Sequence, residues 1–126
     1  MTVSAPPLRL IICEDEAIIA MGLQMMVTAF GHEVCAVCAS AEEAVAAAEQ
    51  HRPDLVLMDV MLRGPGDGIE AACAIRSRFG IPSLIMTAID GPQVRERMAA
   101  ARPYGFLSKP YRPDILRRCL EQLPAD

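Results

Sequence analysis

The chain has 126 residues, of which 52% are apolar, and its 16 acidic and 12 basic residues give a net charge of −4. This length suits one compact domain, and the apolar fraction is enough for a sizeable core, which excludes a mainly disordered chain. A net negative charge repels a phosphate backbone, so we expect no nucleic-acid binding.

Three further features bear on the compartment. No apolar run approaches the ~20 residues that a membrane-spanning helix needs, and the first residues lack the basic start of a secretory signal. The five cysteines are an odd number scattered mostly through apolar segments, which argues against a secreted disulfide framework. We therefore expect a cytoplasmic protein with no membrane contact.

Apolar runs of strand length alternate along the chain with segments whose apolar residues recur every three or four positions. The runs predict strands at residues 8–13, 33–38, 54–58, 82–86 and 104–107. The segments between them predict helices at residues 17–30, 40–50, 68–79, 93–101 and 113–122. Some boundaries have recognisable chemistry: Ser40 and Glu43 fit a capping box, Gly31 ends the first helix, and Pro113 suits a first helical turn.

This alternation predicts an α/β fold, a doubly wound five-stranded parallel sheet with helices on both faces. The apolar run at residues 55–58 agrees, because a central parallel strand is buried on both faces. In such a sheet, ligands bind beyond the carboxyl ends of the strands, near the point where strand order reverses. Functional residues are therefore expected where the strands end.

Polar side chains stand at the ends of four predicted strands: Glu14 and Asp15, then Asp59, Thr87 and Lys109. Each residue alone is typical of a helix cap or a solvated loop. Together, the three carboxylates would repel one another unless a cation neutralised them, and oxygen ligands of this kind suit Mg²⁺. The sequence therefore predicts one magnesium site at this edge of the sheet.

On these residues, the sequence resembles the receiver domain of two-component response regulators over nearly its whole length. Glu14-Asp15 resembles the acidic pair of that family, and Asp59 resembles its phosphoacceptor. The resemblance implies a flavodoxin-like (βα)5 fold in which Asp59 takes a phosphoryl group from a phosphohistidine and becomes an aspartyl phosphate. It also implies that Asp15, Asp59 and the Met61 backbone carbonyl bind Mg²⁺, with Glu14 acting through water.

The same resemblance implies roles for residues at the ends of the last two strands. The Thr87 hydroxyl, the Ala88 backbone amide and Lys109 would bind the phosphoryl group, and Pro110 would be a cis-proline. Thr87 and Phe106 would form the switch, with the aromatic ring turning inward as the hydroxyl moves toward the phosphate. Because Phe106 lacks a tyrosine hydroxyl, we expect its ring to be biased inward or to be covered by a partner.

The loop after Asp59 departs from the family pattern. The commonest family form is one residue shorter and has a proline four residues after the phosphoacceptor, whereas this chain has Arg63 and Gly64 there. The turn is therefore altered, and the path of the backbone that carries Met61 is not predicted.

The first predicted helix is apolar over most of its surface and includes Met21 and Met25. A buried stripe needs fewer apolar positions, so these methionines are either partly exposed core residues or part of a docking face. The resemblance implies docking here of a histidine kinase or a histidine phosphotransfer protein. We expect a single receiver domain over residues 1–126, with its core at about 8–122 and no effector domain, that switches contacts with a downstream protein target.

Three alternatives stay open. The chain could be a receiver fragment of a larger regulator, or a receiver that works without phosphate. It could also be a magnesium-dependent phosphohydrolase that forms an aspartyl phosphate, although Met61 stands where such enzymes have a second acid. We expect no enzyme activity other than self-phosphorylation and self-dephosphorylation at Asp59.

The remaining candidate ligands are cysteines and histidines. Cys35 and Cys38 are spaced like a redox or zinc pair, but side chains three positions apart on a regular strand point to opposite faces, so we expect core packing. His32 and His51 are expected to face solvent.

Overall fold

The computed structural model describes residues 6–88 and 91–123. Every predicted strand and helix is present, and each boundary lies within one residue of its predicted position. The elements in chain order are β1 (Arg9–Cys13), α1 (Ala17–Ala29), β2 (Glu33–Cys38), α2 (Ala41–His51), β3 (Leu55–Asp59), α3 (Gly68–Phe79), β4 (Ser83–Thr87), α4 (Pro92–Ala100), β5 (Gly105–Ser108) and α5 (Pro113–Glu121).

All strand pairs are parallel, and the sheet order is β2-β1-β3-β4-β5. Strand order reverses between β1 and β3, so the predicted binding edge lies at the carboxyl ends of these two strands. Every residue of β3 and of β4 is buried, as their apolar sequences predict. The predicted doubly wound, flavodoxin-like fold is therefore confirmed.

The core consists of layers on the two faces of this sheet. Leu10 and Ile12 of β1 pack on one face with residues of α1 and α5, such as Leu23 and Leu116. Their neighbour Ile11 packs on the other face with residues of α2 and α3. Because each fully buried side chain of this size contributes about 1.5–3 kcal/mol, the alternation along β1 anchors helices on both sides of the sheet.

Helix ends follow the predicted chemistry in part. At the start of α2, the Glu43 backbone N–H donates to the Ser40 hydroxyl at 3.1 Å, but the Glu43 carboxylate accepts from the Ala39 N–H, so only half of a capping box forms. A complete box opens α3, where Asp67 and Glu70 each accept from the other's backbone N–H. Gly31 follows α1 with a φ of 101°, a conformation that favours glycine.

Two expectations about individual residues are wrong. His32 is buried, and its Nδ1 accepts a hydrogen bond from the Leu8 N–H at 3.0 Å, which holds the ring next to β1. Burial lowers the pKa of this histidine. Cys35 and Cys38 pack against the same core cluster rather than on opposite faces. The cause is a register shift between β1 and β2, which breaks the regular alternation at Cys35.

The prediction that these cysteines are packing residues is nevertheless consistent with their positions, and all five cysteines are free thiols. Within the described ranges, no helix is both long enough and apolar enough to cross a membrane.

Candidate functional site

The fold brings the polar ends of β1, β3 and β5 into direct contact. The Lys109 Nζ, just after β5, donates to the Glu14 Oε2 after β1 and to the Asp59 Oδ2 at the end of β3, both at 3.1 Å. These pairs join residues 95 and 50 positions apart in the sequence. One ammonium group therefore holds two carboxylates that the sequence could only assign to the same edge.

Burial makes this cluster electrostatically unusual. Glu14 is 3% exposed, Asp59 is 6% exposed and Thr87 is 3% exposed. Burial, followed by the hydrogen bond and repulsion from Asp59, raises the pKa of Glu14 to about 7, and the hydrogen bond from Lys109 offsets only part of this effect. Glu14 therefore holds its proton to a much higher pH than an ordinary glutamate does.

At Lys109, hydrogen bonding rather than burial decides the direction of the pKa shift. Its burial by itself lowers the pKa of the ammonium group, but the hydrogen bonds to Asp59 and Glu14 outweigh burial, so the net pKa is raised. A strongly protonated lysine is a compact positive charge next to the carboxylate of Asp59.

The acidic residues also fit a magnesium ion. Glu14, Asp15 and Asp59 each offer a carboxylate oxygen, and these oxygens all lie within 4.8 Å of one another. Mg²⁺ prefers oxygen ligands and keeps several waters, so a cluster with one half-exposed member, Asp15, suits it. The chemistry of this donor set therefore fits the predicted cofactor.

Backbone contacts position Asp59 and Lys109. The Met61 N–H donates to the Asp59 Oδ1 at 3.3 Å, and the Lys109 N–H donates to the Thr87 carbonyl at 2.8 Å. The peptide bond between Lys109 and Pro110 is cis. Gly68 begins α3 against the Asp59 backbone, where its N–H donates to the Val60 carbonyl at 2.8 Å.

Arg63, in the altered loop after β3, forms hydrogen bonds with residues that follow β2 and β1. The Arg63 N–H donates to the Ala39 carbonyl at 2.9 Å, and its Nη2 donates to the Asp15 carbonyl at 3.4 Å. A cavity of about 330 Å³ beside the acidic cluster is lined by both charged and apolar residues, among them Arg63, Asp15 and Met21. The sequence marked Arg63 only as a departure, because a contact with a distant carbonyl oxygen has no signal in the chain.

The ring of Phe106 is not turned inward in this structure. It is 36% exposed, and the Arg95 guanidinium of α4 lies over it at 4.7 Å from the ring centroid. Of the two expectations for this ring, an inward bias is wrong for this conformation, whereas cover by a partner stays a prediction. A cation–π contact covers the ring instead.

Helix α1 exposes a set of apolar side chains. Ile18 is 85% exposed, Met21 is 60% exposed and Met25 is 68% exposed. Their spacing of three and four places them on one side of the helix, opposite its buried residues. The two methionines are thus surface residues.

Comparison with known proteins assigns the family. Residues 10–121 match the model of the response regulator receiver domain. The transcriptional regulatory protein PdtaR of Mycobacterium tuberculosis is 40% identical over 108 residues, which are 86% of this chain and 52% of PdtaR. The phyllosphere-induced regulator PhyR of Methylorubrum extorquens is 33% identical over 115 residues, which are 90% of this chain and 42% of PhyR.

A solved structure agrees with these matches. The signal receiver domain of a modulated diguanylate cyclase from Desulfovibrio desulfuricans G20 is 31% identical, with a TM-score of 0.87 and coverage of 94% of both chains. The chain is therefore a response regulator receiver domain and belongs to the two-component signalling family. It spans about half the length of the curated relatives that it matches.

Proposed function

We propose that Asp59 is the phosphoacceptor of this receiver domain and that phosphohistidine on a partner protein is the donor. An Asp59 oxygen attacks phosphorus, the P–N bond of the phosphohistidine breaks, and the donor imidazole leaves with that electron pair. The observation that carries this proposal is the contact of Asp59 with Lys109 inside a cluster of three carboxylates. Alignment and charge neutralisation, which this cluster offers, are the main requirements of phosphoryl transfer.

Different residues of the site would align the phosphoryl group and neutralise its charge. Lys109 holds a positive charge at the Asp59 oxygen that becomes esterified, and the Thr87 hydroxyl and the Ala88 amide are the donors that we assign to the phosphoryl oxygens. Asp15, Asp59 and the Met61 carbonyl would hold Mg²⁺, with Glu14 acting through water. When bound, this ion neutralises negative charge on the phosphoryl oxygens.

The assignment of Asp59 as the phosphoacceptor can be tested with a substitution at the end of β3 and a control substitution just before its start. Acetyl phosphate with Mg²⁺ should add one phosphoryl group to the protein, as measured by intact mass, and Asp59→Asn should abolish the addition. Asp54→Asn is the matched control, since the Asp54 Oδ2 only accepts from the Arg9 N–H at the opposite edge of the sheet and an amide oxygen can do the same. Phosphorylation of Asp59→Asn at the wild-type level would refute the assignment.

We further propose that a histidine kinase or a phosphotransfer protein docks on the exposed apolar side of α1. Flexible thioethers at Met21 and Met25 suit an adaptable protein contact. Met25→Glu should slow transfer from an autophosphorylated sensor histidine kinase at least about tenfold, in line with loss of an interface anchor, while phosphorylation by acetyl phosphate stays unchanged. Ala46→Glu adds the same charge to an exposed position of α2 and should leave both reactions unchanged.

The output is a change in contacts with a downstream protein, with Thr87 and Phe106 as the switch. We propose that the described residues fold as one receiver domain with its core at about residues 8–122. The family match over residues 10–121 does not favour the phosphohydrolase alternative. Steady release of phosphate from small phosphoesters would support that alternative, and a single stoichiometric phosphorylation would oppose it.

A further inference from the structure

The partly exposed ring of Phe106 lies on the same face of the sheet as Thr87. Phe106 pairs with Ile85 in the parallel register of β5 and β4, so the two side chains share one face of the sheet. Thr87, two residues after Ile85, lies on that face as well. A ring that turned inward would therefore move toward Thr87 and into the cluster in which Ile85 packs with Met98 of α4.

Helix α4 lies over this face with little apolar anchoring. All residues of α4 are described; Met98 is the only one of them that is buried, and the partly buried Val94 packs against the same cluster. The helix is held in addition by two arginines on its first two turns. Arg95 covers the ring of Phe106, and the Arg97 Nη2 pairs with the Asp67 Oδ2 at 2.7 Å.

These two arginines contact residues that are connected to the site through different segments of the chain. Asp67 is the N-cap of α3, and the next residue, Gly68, lies against the backbone of Asp59. Phe106 stands three residues before Lys109, which contacts the Asp59 carboxylate. The position of α4 is therefore tied both to the loop after the phosphoacceptor strand and to the strand that carries the lysine.

We propose that Arg95 is a positioning residue that holds the Phe106 ring at the surface in the unphosphorylated chain. The ring cannot turn inward and keep its contact with the guanidinium, so inward movement releases α4 from β5. The phenyl ring has no hydroxyl to bond at the surface, and the cation–π contact takes that place. The effect of Arg95 on phosphorylation rests on the proposed function, whereas its effect on the ring does not.

A cation–π contact of this exposure shifts the ring equilibrium by about two- to fivefold. Arg95→Ala should therefore raise the ratio of inward to outward rings by that factor and speed phosphorylation by acetyl phosphate by up to the same factor. Arg95→Lys keeps the charge and should lie between Arg95→Ala and wild type. Arg118→Ala removes an equal charge from an exposed position of α5 and should match wild type.

The ring can be observed directly with fluorinated phenylalanine. The chain has three phenylalanines, so it should show three fluorine resonances, which Phe30→Leu and Phe79→Leu assign. The change in a fluorine shift between H₂O and D₂O reports how far a ring is exposed. We expect this change to become smaller at Phe106 in Arg95→Met, whose side chain still covers the ring but carries no charge, and beryllium fluoride with Mg²⁺ to make it smaller in the wild-type protein.

We expect Arg95→Ala to have no effect on the phosphorylation rate when Phe106→Leu is already present, because Arg95 acts through the ring. If Arg95 acted only on global stability, its effect on the rate would remain in the Phe106→Leu protein. An unchanged or larger solvent effect at Phe106 in Arg95→Met would overturn the proposal. Equal phosphorylation rates for Arg95→Ala and Arg118→Ala, while the wild-type protein is phosphorylated, would also overturn it. If the wild-type protein takes no phosphoryl group, the proposed function fails, and the fluorine measurement still decides the role of Arg95.

Discussion

Two glycines in helices provide contrasting tests of how the backbone supports Asp59, the proposed phosphoacceptor. A Cβ built at Gly68 would overlap the Asp59 carbonyl oxygen and lie 2.7 Å from the Asp59 carbonyl carbon and 3.0 Å from the Val60 Cα. All three atoms belong to the backbone of β3 and the residue after it, so no side chain can rotate away. A Cβ at Gly22, inside α1 and exposed, would meet nothing within 4 Å.

Gly68→Ala must therefore push the start of α3 away from β3. Overpacking in a tight core costs about 1–3 kcal/mol, and we expect the upper end of that range because the obstacle is backbone. Gly22→Ala should instead increase the free energy of unfolding by about 0.5–1 kcal/mol, since alanine loses less conformational entropy in a helix.

Urea denaturation of the two variants measures this difference, and phosphorylation by acetyl phosphate measures its consequence at Asp59. We expect Gly68→Ala to be slower in phosphorylation, because the Asp59 carbonyl moves, and Gly22→Ala to match wild type. The reasoning is refuted if Gly68→Ala is as stable as Gly22→Ala and is phosphorylated at the same rate.

Two more predictions concern the charges of the site. Because the pKa of Glu14 is raised from 4.5 to about 7, the folded protein without Mg²⁺ binds more protons than the unfolded chain between these values, so its stability should fall as the pH rises through them. Mg²⁺ binding, titrated calorimetrically, should tighten as the pH rises through about 7, and a Glu14→Gln protein that keeps this pH dependence would contradict the assignment. Lys109→Met leaves two buried carboxylates without their ammonium partner and should cost about 3 kcal/mol in urea denaturation without Mg²⁺. Saturating Mg²⁺ should narrow this loss, because the ion supplies positive charge next to the two carboxylates. Equal losses with and without the ion would show that Mg²⁺ does not replace the missing ammonium charge.

The element pattern could be predicted from the sequence because it depends on local periodicity. Residues 55–58 are apolar without interruption, and a short run of this kind is typical of a strand buried on both faces. The positions of Glu14, Asp59 and Lys109 at strand ends followed in the same way, since all strands of a parallel sheet end at one edge. The same logic failed at Cys35, because a register shift depends on how β1 and β2 fit each other and not on either strand alone.

Other features were decided only when distant segments packed together. His32 is buried because its Nδ1 accepts from an N–H that lies 24 residues earlier, and no local pattern around a histidine shows such a partner. Likewise, the raised pKa of Glu14 arises from burial and from Asp59, and the cover over Phe106 comes from a different element, α4. The amino-acid order by itself determined which groups reach the carboxyl edge of the sheet. Tertiary packing decided their charges and contacts, because burial and hydrogen bonding depend on distances in space.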